Sequence, residues 1–146
     1  MTNKHVVIQI HDKYKDKTLE WFEGPYIGPN TPMVAPGEGF PCYKGKLFTG
    51  TIEWFDKEGN LEIRESFKEG HQHGSEEWSN KNGQLSWKRH FKNGKLEGPY
   101  EEYHENGQLI FKCNYKNDEL HGPYEWFHEN GQLINKQNYK NGKLIE

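Results

Sequence analysis

Beyond residue 50, apolar and polar positions alternate in short runs, and a glycine or a turn-forming pair interrupts about every dozen residues. Stepping by two, one side of each run collects Ile52, Trp54, Leu61 and Ile63, then Trp78, Leu85 and Trp87, then Tyr100, Leu109 and Phe111, then Tyr124, Trp126 and Leu133. Phe67, Phe91, Tyr115 and Tyr139 fall on the same side. The other side is charged, with Phe55, Tyr103 and Phe127 interspersed. A 3.6-residue period never outlasts a turn, so the pattern predicts strands throughout and no helix.

The strands recur. Gly59, Gly83, Gly107 and Gly131 stand 24 residues apart, each followed two residues on by Leu61, Leu85, Leu109 or Leu133, and HENGQLI is written identically at 104–110 and 128–134. Phe67, Phe91, Tyr115 and Tyr139 open a second turn stretch at the same step, closed by Gly50, Gly74, Gly98 and Gly122. Two turn signals per period imply one β-hairpin per repeat. Asn-Gly tolerates the two positive φ values of a type I′ turn, so two-residue turns are expected at Asn82-Gly83, Asn93-Gly94, Asn106-Gly107, Asn130-Gly131 and Asn141-Gly142. Glu58-Gly59, Glu69-Gly70 and Asn117-Asp118 fit a type I turn with a bulge better. That register sets Glu53 opposite Arg64, Glu77 opposite Lys88, Glu101 opposite Lys112 and Glu125 opposite Lys136. It also sets Phe91 against Leu96 and Tyr115 against Leu120. Such cross-strand ion pairs contribute about 0.2 to 1 kcal/mol each and select register more than they stabilise.

Residues before the repeats are less regular. HVVIQI, from His5 to Ile10, alternates like a strand, and YKDKTL at Tyr14 to Leu19 echoes YKNDEL at Tyr115 to Leu120, which suggests a degenerate first hairpin. Gly24 to Cys42 holds Pro25, Pro29, Pro32, Pro36 and Pro41, the mark of a long irregular loop. The organisation expected is one repeat domain over 1–146, with 1–42 as a terminal cap folded over the aromatic face and 43–146 as the repeats.

Composition narrows this picture. With 146 residues and only 32% hydrophobic, the chain cannot build a thick core, yet 14% aromatic is unlike a disordered segment. A net charge of -3, from 19 basic and 22 acidic residues, argues against binding nucleic acid or anionic membranes by bulk electrostatics, and is compatible with a basic protein partner. No apolar run reaches membrane-spanning length and no leader pattern precedes the repeats, so a cytoplasmic location is expected. Cys42 and Cys113 are read as free thiols.

The candidate chemistry is thin. His71 and His73 share a strand face but lack a third ligand, and the equivalent His104 and His128 stand two strands, about 9.6 Å, apart. The column Glu53, Glu77, Glu101, Glu125 has the same spacing and a basic neighbour for each member. Cys113 has no histidine beside it to lower its pKa. GxSxG, P-loop, HExxH and dinucleotide motifs are lacking, so no catalytic, metal-binding or cofactor-binding residue is assigned and no enzyme is expected. What remains is a surface: Trp54, Trp78, Trp87, Tyr100, Tyr124 and Trp126 as ring anchors, with Glu97, Glu101, Glu102 and Glu105 as an acidic cluster for a basic partner.

The units YHENGQLIFKCNYKNDELHGPYEW and FHENGQLINKQNYKNGKL resemble the variant MORN repeat, over residues 43 to 146 closely and 14 to 42 weakly. Glu69, His71 to His73 and Asp118 depart from its pattern. The resemblance implies an all-β, single-layer antiparallel meander of hairpins. It also implies a function, since many bacterial proteins built of this repeat are antitoxins or immunity proteins. On that analogy the chain would bind a cognate toxin and neutralise it by occlusion. Other proteins with the repeat are scaffolds for proteins or membrane surfaces.

Overall fold

A computed structural model describes residues 5–24 and 31–145. Among them are fifteen strands and no helix: β1 (Val6–Ile10), β2 (Leu19–Phe22), β3 (Phe40–Tyr43), β4 (Lys46–Leu47), β5 (Gly50–Phe55), β6 (Leu61–Lys68), β7 (His71–Ser79), β8 (Leu85–Lys92), β9 (Lys95–Leu96), β10 (Gly98–Tyr103), β11 (Leu109–Lys116), β12 (Glu119–Leu120), β13 (Gly122–Phe127), β14 (Leu133–Lys140) and β15 (Lys143–Ile145). Twelve strands form one sheet and β2-β3-β4 a second. The hairpins β5–β6, β7–β8, β10–β11 and β13–β14 are antiparallel and follow one another along the sheet, as the 24-residue period predicts.

All four expected charge pairs are in register: Glu53 opposite Arg64, Glu77 opposite Lys88, Glu101 opposite Lys112, Glu125 opposite Lys136. The strands joining neighbouring hairpins pair Arg64 with Glu77, Lys88 with Glu101, and Lys112 with Glu125. One unbroken row of alternating charge therefore crosses the sheet, from Gln9 beside Glu53 to Lys136. Arg64 Nη2 lies 2.7 Å from Glu53 and Lys88 Nζ 3.5 Å from Glu77. Among the described residues Glu101–Lys112 and Glu125–Lys136 are not closed to 4.0 Å, so their contribution is alignment.

Two kinds of turn alternate. Both central residues have positive φ at Lys44-Gly45, Glu69-Gly70, Asn93-Gly94, Asn117-Asp118 and Asn141-Gly142, the type I′ form. At Gly59, Gly83, Gly107 and Gly131 only the glycine does, and a three-residue loop is closed by bonds such as His104 N–H to the Gln108 carbonyl, 2.7 Å. Two-residue turns at Asn82-Gly83, Asn106-Gly107 and Asn130-Gly131 are thus not formed, and Glu69-Gly70 and Asn117-Asp118 are not bulged. The cause is local: the side-chain oxygens of Asn82, Asn106 and Asn130 accept the N–H of Gln84, Gln108 and Gln132, which holds each asparagine at ordinary φ. One extra residue on each returning strand, Glu62, Ser86, Ile110 or Ile134, then restores the register. Leu61, Leu85, Leu109 and Leu133 consequently pair with Phe55, Ser79, Tyr103 and Phe127, which removes them from the tryptophan side where plain alternation put them.

The type I′ turns join repeats. The N–H groups of Gly70, Gly94, Asp118 and Gly142 donate to the carbonyls of Phe48, Gln72, Leu96 and Leu120, each at 2.8 or 2.9 Å. The preceding N–H of each turn is capped by a side chain one repeat earlier: Glu69 by Thr49, Asn93 by His73, Asn117 by Glu97 and Asn141 by His121.

The amino-terminal part departs most from expectation. No hairpin joins residues 5–10 to 14–19; β1 instead runs parallel to β5, Val6 opposite Gly50 through Ile10 opposite Trp54. Gly50 allows this, because a Cβ there would lie 2.2 Å from the Val6 carbonyl oxygen. β2 pairs with β3, and β3 carries Pro41 and runs across the expected boundary at residue 42. Pro25 and Pro29 lie outside the described residues. β2 packs against the large sheet, and Ile8, Ile10, Leu19, Trp21, Phe48, Ile52 and Phe67 form the buried core. Among the described residues there are two layers at this end and one beyond it.

Candidate functional site

Beyond the core, the rings form a continuous chain across one face. Trp78 and Trp87 stack with centroids 5.2 Å apart, Trp87 meets Tyr100 edge-on at 6.0 Å, and Tyr100 meets Phe111 at 5.1 Å. Phe111 stacks on Tyr124 at 5.4 Å and Tyr124 on Trp126 at 4.1 Å. All six rings are half-buried, so each has one side against its neighbours and another open. Cys113 is buried beneath the tyrosines, and burial pushes its thiol up to about 12, which keeps it protonated.

The structure brings Trp78, Trp87, Tyr100, Tyr124 and Trp126 together but places Trp54 differently. Its ring packs 5.8 Å from Trp21 at the closed end, and its indole N–H donates to Glu65, 2.9 Å. The four candidate carboxylates do not converge. Glu97 caps the Asn117 N–H, Glu101 lies in the charge row and accepts the Tyr103 hydroxyl, Glu102 sits on the ring side between Trp87 and Phe111, and Glu105 is exposed in a turn loop. The histidines are spread likewise: His73 caps Asn93, and His71 stands edge-on to Phe40 at 5.1 Å. Among the described residues no group of three or more His, Cys, Asp or Glu is placed to hold a metal.

Sequence reasoning missed the polar cluster at the head of the ring chain. Glu65 and Glu76 face each other across β6 and β7 on the aromatic side, and Glu76 is 5% exposed. Arg89 binds Glu76 through Nε at 2.9 Å and Nη2 at 2.8 Å while lying over the Trp87 and Phe91 rings. The Gln72 amide donates to both carboxylates. Burial, and then the charge of Glu76, push the Glu65 carboxyl up to about 7 against the lowering effect of the Trp54 N–H. The cluster lines a cleft of about 1210 Å³ whose walls include Trp21, Trp54, Trp78, Phe40 and His71. It thus offers ring faces beside a carboxyl that titrates near neutrality. The signal was in the columns: Glu76 stands where other repeats have Ile52, Tyr100 and Tyr124, and Gln72 where they have Phe48, Leu96, Leu120 and Leu144.

The family model described as MORN repeat variant matches residues 48–69, 96–117 and 120–145. The unit between the first two stretches is the one carrying Gln72, Glu76 and Arg89. No curated protein matches the sequence.

Proposed function

We propose that this MORN-repeat protein holds a folded protein partner on its open ring face, and that the partner is a toxin of the same cell, neutralised by occlusion. MORN repeats are generally interaction modules for proteins or membrane surfaces. The observation that carries the reading is the run of half-buried rings from Trp78 to Trp126, which extends past the core built by β1 and β2. Large rings open on one side act as anchors when a partner displaces water from them. Glu102, set among those rings, favours a partner that brings a basic side chain to the apolar contact. For the toxin, the support is by analogy: the repeats resemble the variant MORN repeat, of which many bacterial immunity proteins are built.

The test is co-expression with the product of the adjacent gene. Rescue of growth and a co-purifying complex, both lost in Trp126→Ala with an unchanged circular dichroism spectrum, support the proposal. A complex that survives Trp78→Ala and Trp126→Ala together places the contact elsewhere. Failure of any neighbouring gene product to bind overturns the toxin, and sedimentation with anionic vesicles in a salt-sensitive way selects a membrane-surface scaffold instead.

A further inference from the structure

The cleft beside the polar cluster holds one complete cation site and part of a second. Arg89 fills the first. Its guanidinium binds Glu76 through Nε at 2.9 Å and Nη2 at 2.8 Å, and lies 4.8 Å and 5.0 Å from the Trp87 and Phe91 ring centroids. A carboxylate at the guanidinium edge and rings under its face hold it there. Glu65 has the carboxyl and the rings without the cation. It accepts the Trp54 indole N–H at 2.9 Å and the Gln72 amide at 3.2 Å, both neutral donors, and among the described residues no lysine or arginine comes within 4.0 Å of it. Trp54 and Trp78 flank Ile63 in register, and Glu65 is the next residue on that side of β6. The carboxyl and both rings are half-buried and line the cleft.

We propose that the cleft binds an arginine carried on an exposed basic segment of another protein, with the guanidinium beside Glu65 and against the Trp54 and Trp78 rings. Charge and size select this occupant. Among the described residues the walls carry seven carboxylates against three lysine or arginine side chains. The volume of about 1210 Å³ exceeds the roughly 300–1,000 Å³ of pockets that enclose small ligands, so a length of chain fits better than a free small cation. The sequence has two arginines, Arg64 and Arg89, and both are paired with glutamates, so a second copy of this chain does not supply one.

Binding exchanges one cation for another. The proton that Glu65 keeps near neutrality passes to solvent as the guanidinium pairs with the carboxylate, so the arginine is held above about pH 7 and released as pH falls. Glu76 and Arg89 are the charged groups that act on Glu65, and His71 and Glu38 line the same cleft. The site uses none of the rings from Tyr100 to Trp126, so it stands or falls apart from the toxin contact.

The experiment uses the full chain and a synthetic GKGRGKG peptide, with a second peptide in which neutral citrulline replaces the arginine. NMR titration reads the affinity, and the Trp54 indole N–H, which donates to Glu65, reports the place. At pH 8 the Trp54 signal should move and the arginine peptide should bind roughly tenfold tighter than its citrulline analogue, a preference largely lost by pH 6. Glu65→Gln, with an unchanged circular dichroism spectrum, should remove the preference, and Trp126→Ala should keep it. Equal affinity of the wild-type chain for the two peptides, a preference that survives Glu65→Gln, or a Trp54 signal that stays in place overturns the proposal. So does methylguanidinium binding as tightly as the peptide, which makes a free small cation the occupant.

Discussion

Trp78 and Trp87 lie face to face across the β7–β8 hairpin, centroids 5.2 Å apart and planes 23° from parallel, at the point where two layers become one. Trp78 walls the polar cleft, and the pair is the first link of the open ring chain. Trp87→Ala removes the partner of Trp78, the edge contact to Tyr100 and the ring beneath Arg89. A loss of about 2–3 kcal/mol is expected, below the value for a fully buried tryptophan because the ring is half-exposed. Urea unfolding measures it, and the exciton signal of stacked indoles in circular dichroism should vanish with it.

Stability should peak between two carboxylates that titrate in opposite directions. Glu65 has its folded pKa raised from 4.5 to about 7, so its contribution is full below about 4.5 and is lost as pH rises through 7. Glu53 is held below its ordinary value first by the Arg64 hydrogen bonds and then by Gln9, so its contribution is present above about 4.5 and is lost as pH falls. Melting temperature against pH should therefore decline on both sides. Glu65→Gln should flatten the alkaline decline, with a gain on the order of 1 kcal/mol at pH 8. An unchanged slope between pH 5 and 8 would count against the raised carboxyl.

Glu97 is expected to act inside the fold. Its carboxylate accepts the Asn117 N–H at 2.8 Å, while Asp118 receives the Leu96 N–H at 2.7 Å and donates its own to the Leu96 carbonyl. Glu97→Ala should cost about 1 kcal/mol. Asp118→Gly relieves a positive φ of 68° but forfeits one bond, so it should be close to neutral, whereas Asp118→Ala keeps the strain and loses the bond, about 1–2 kcal/mol. Thermal denaturation of the three variants orders them.

Gly50→Val should release β1. The added side chain meets the Val6 carbonyl and the Phe48 ring, and φ at this position is +152°. Fast hydrogen exchange at Ile8 and Ile10, with protection retained at Phe111, is the expected pattern.

The repeats were readable because every fact that fixes them lies within one period. Glu101 finds Lys112 eleven residues away, and the glycine columns state the turns twice over. What escaped was decided by smaller or more distant effects. Leu85, Leu109 and Leu133 changed sides because an asparagine oxygen three residues upstream lengthened the loop by one, an energy too local to alter the hydrophobic pattern. The parallel strand β1 depends on a contact across 44 positions between Val6 and Gly50. Glu76 reads as one more charge in a charged sequence until its column is compared with Ile52, Tyr100 and Tyr124. Glu97 was counted as surface because nothing nearby in the sequence shows that its partner is a turn N–H of the next repeat.

The two long margins of the sheet are unequally sewn. Along one, four successive turns are each tied to the preceding unit by a main-chain bond and a side-chain cap; along the other, Asn106 Nδ2 to the Glu129 carbonyl joins the last two loops. Foreign sequence spliced at Glu58 or Lys81 should therefore leave the array standing, whereas the same graft at Asn93 would unpick a seam. Variation in length is confined by this to a single flank, and a ribbon of this kind can acquire new fingers there without losing its pitch.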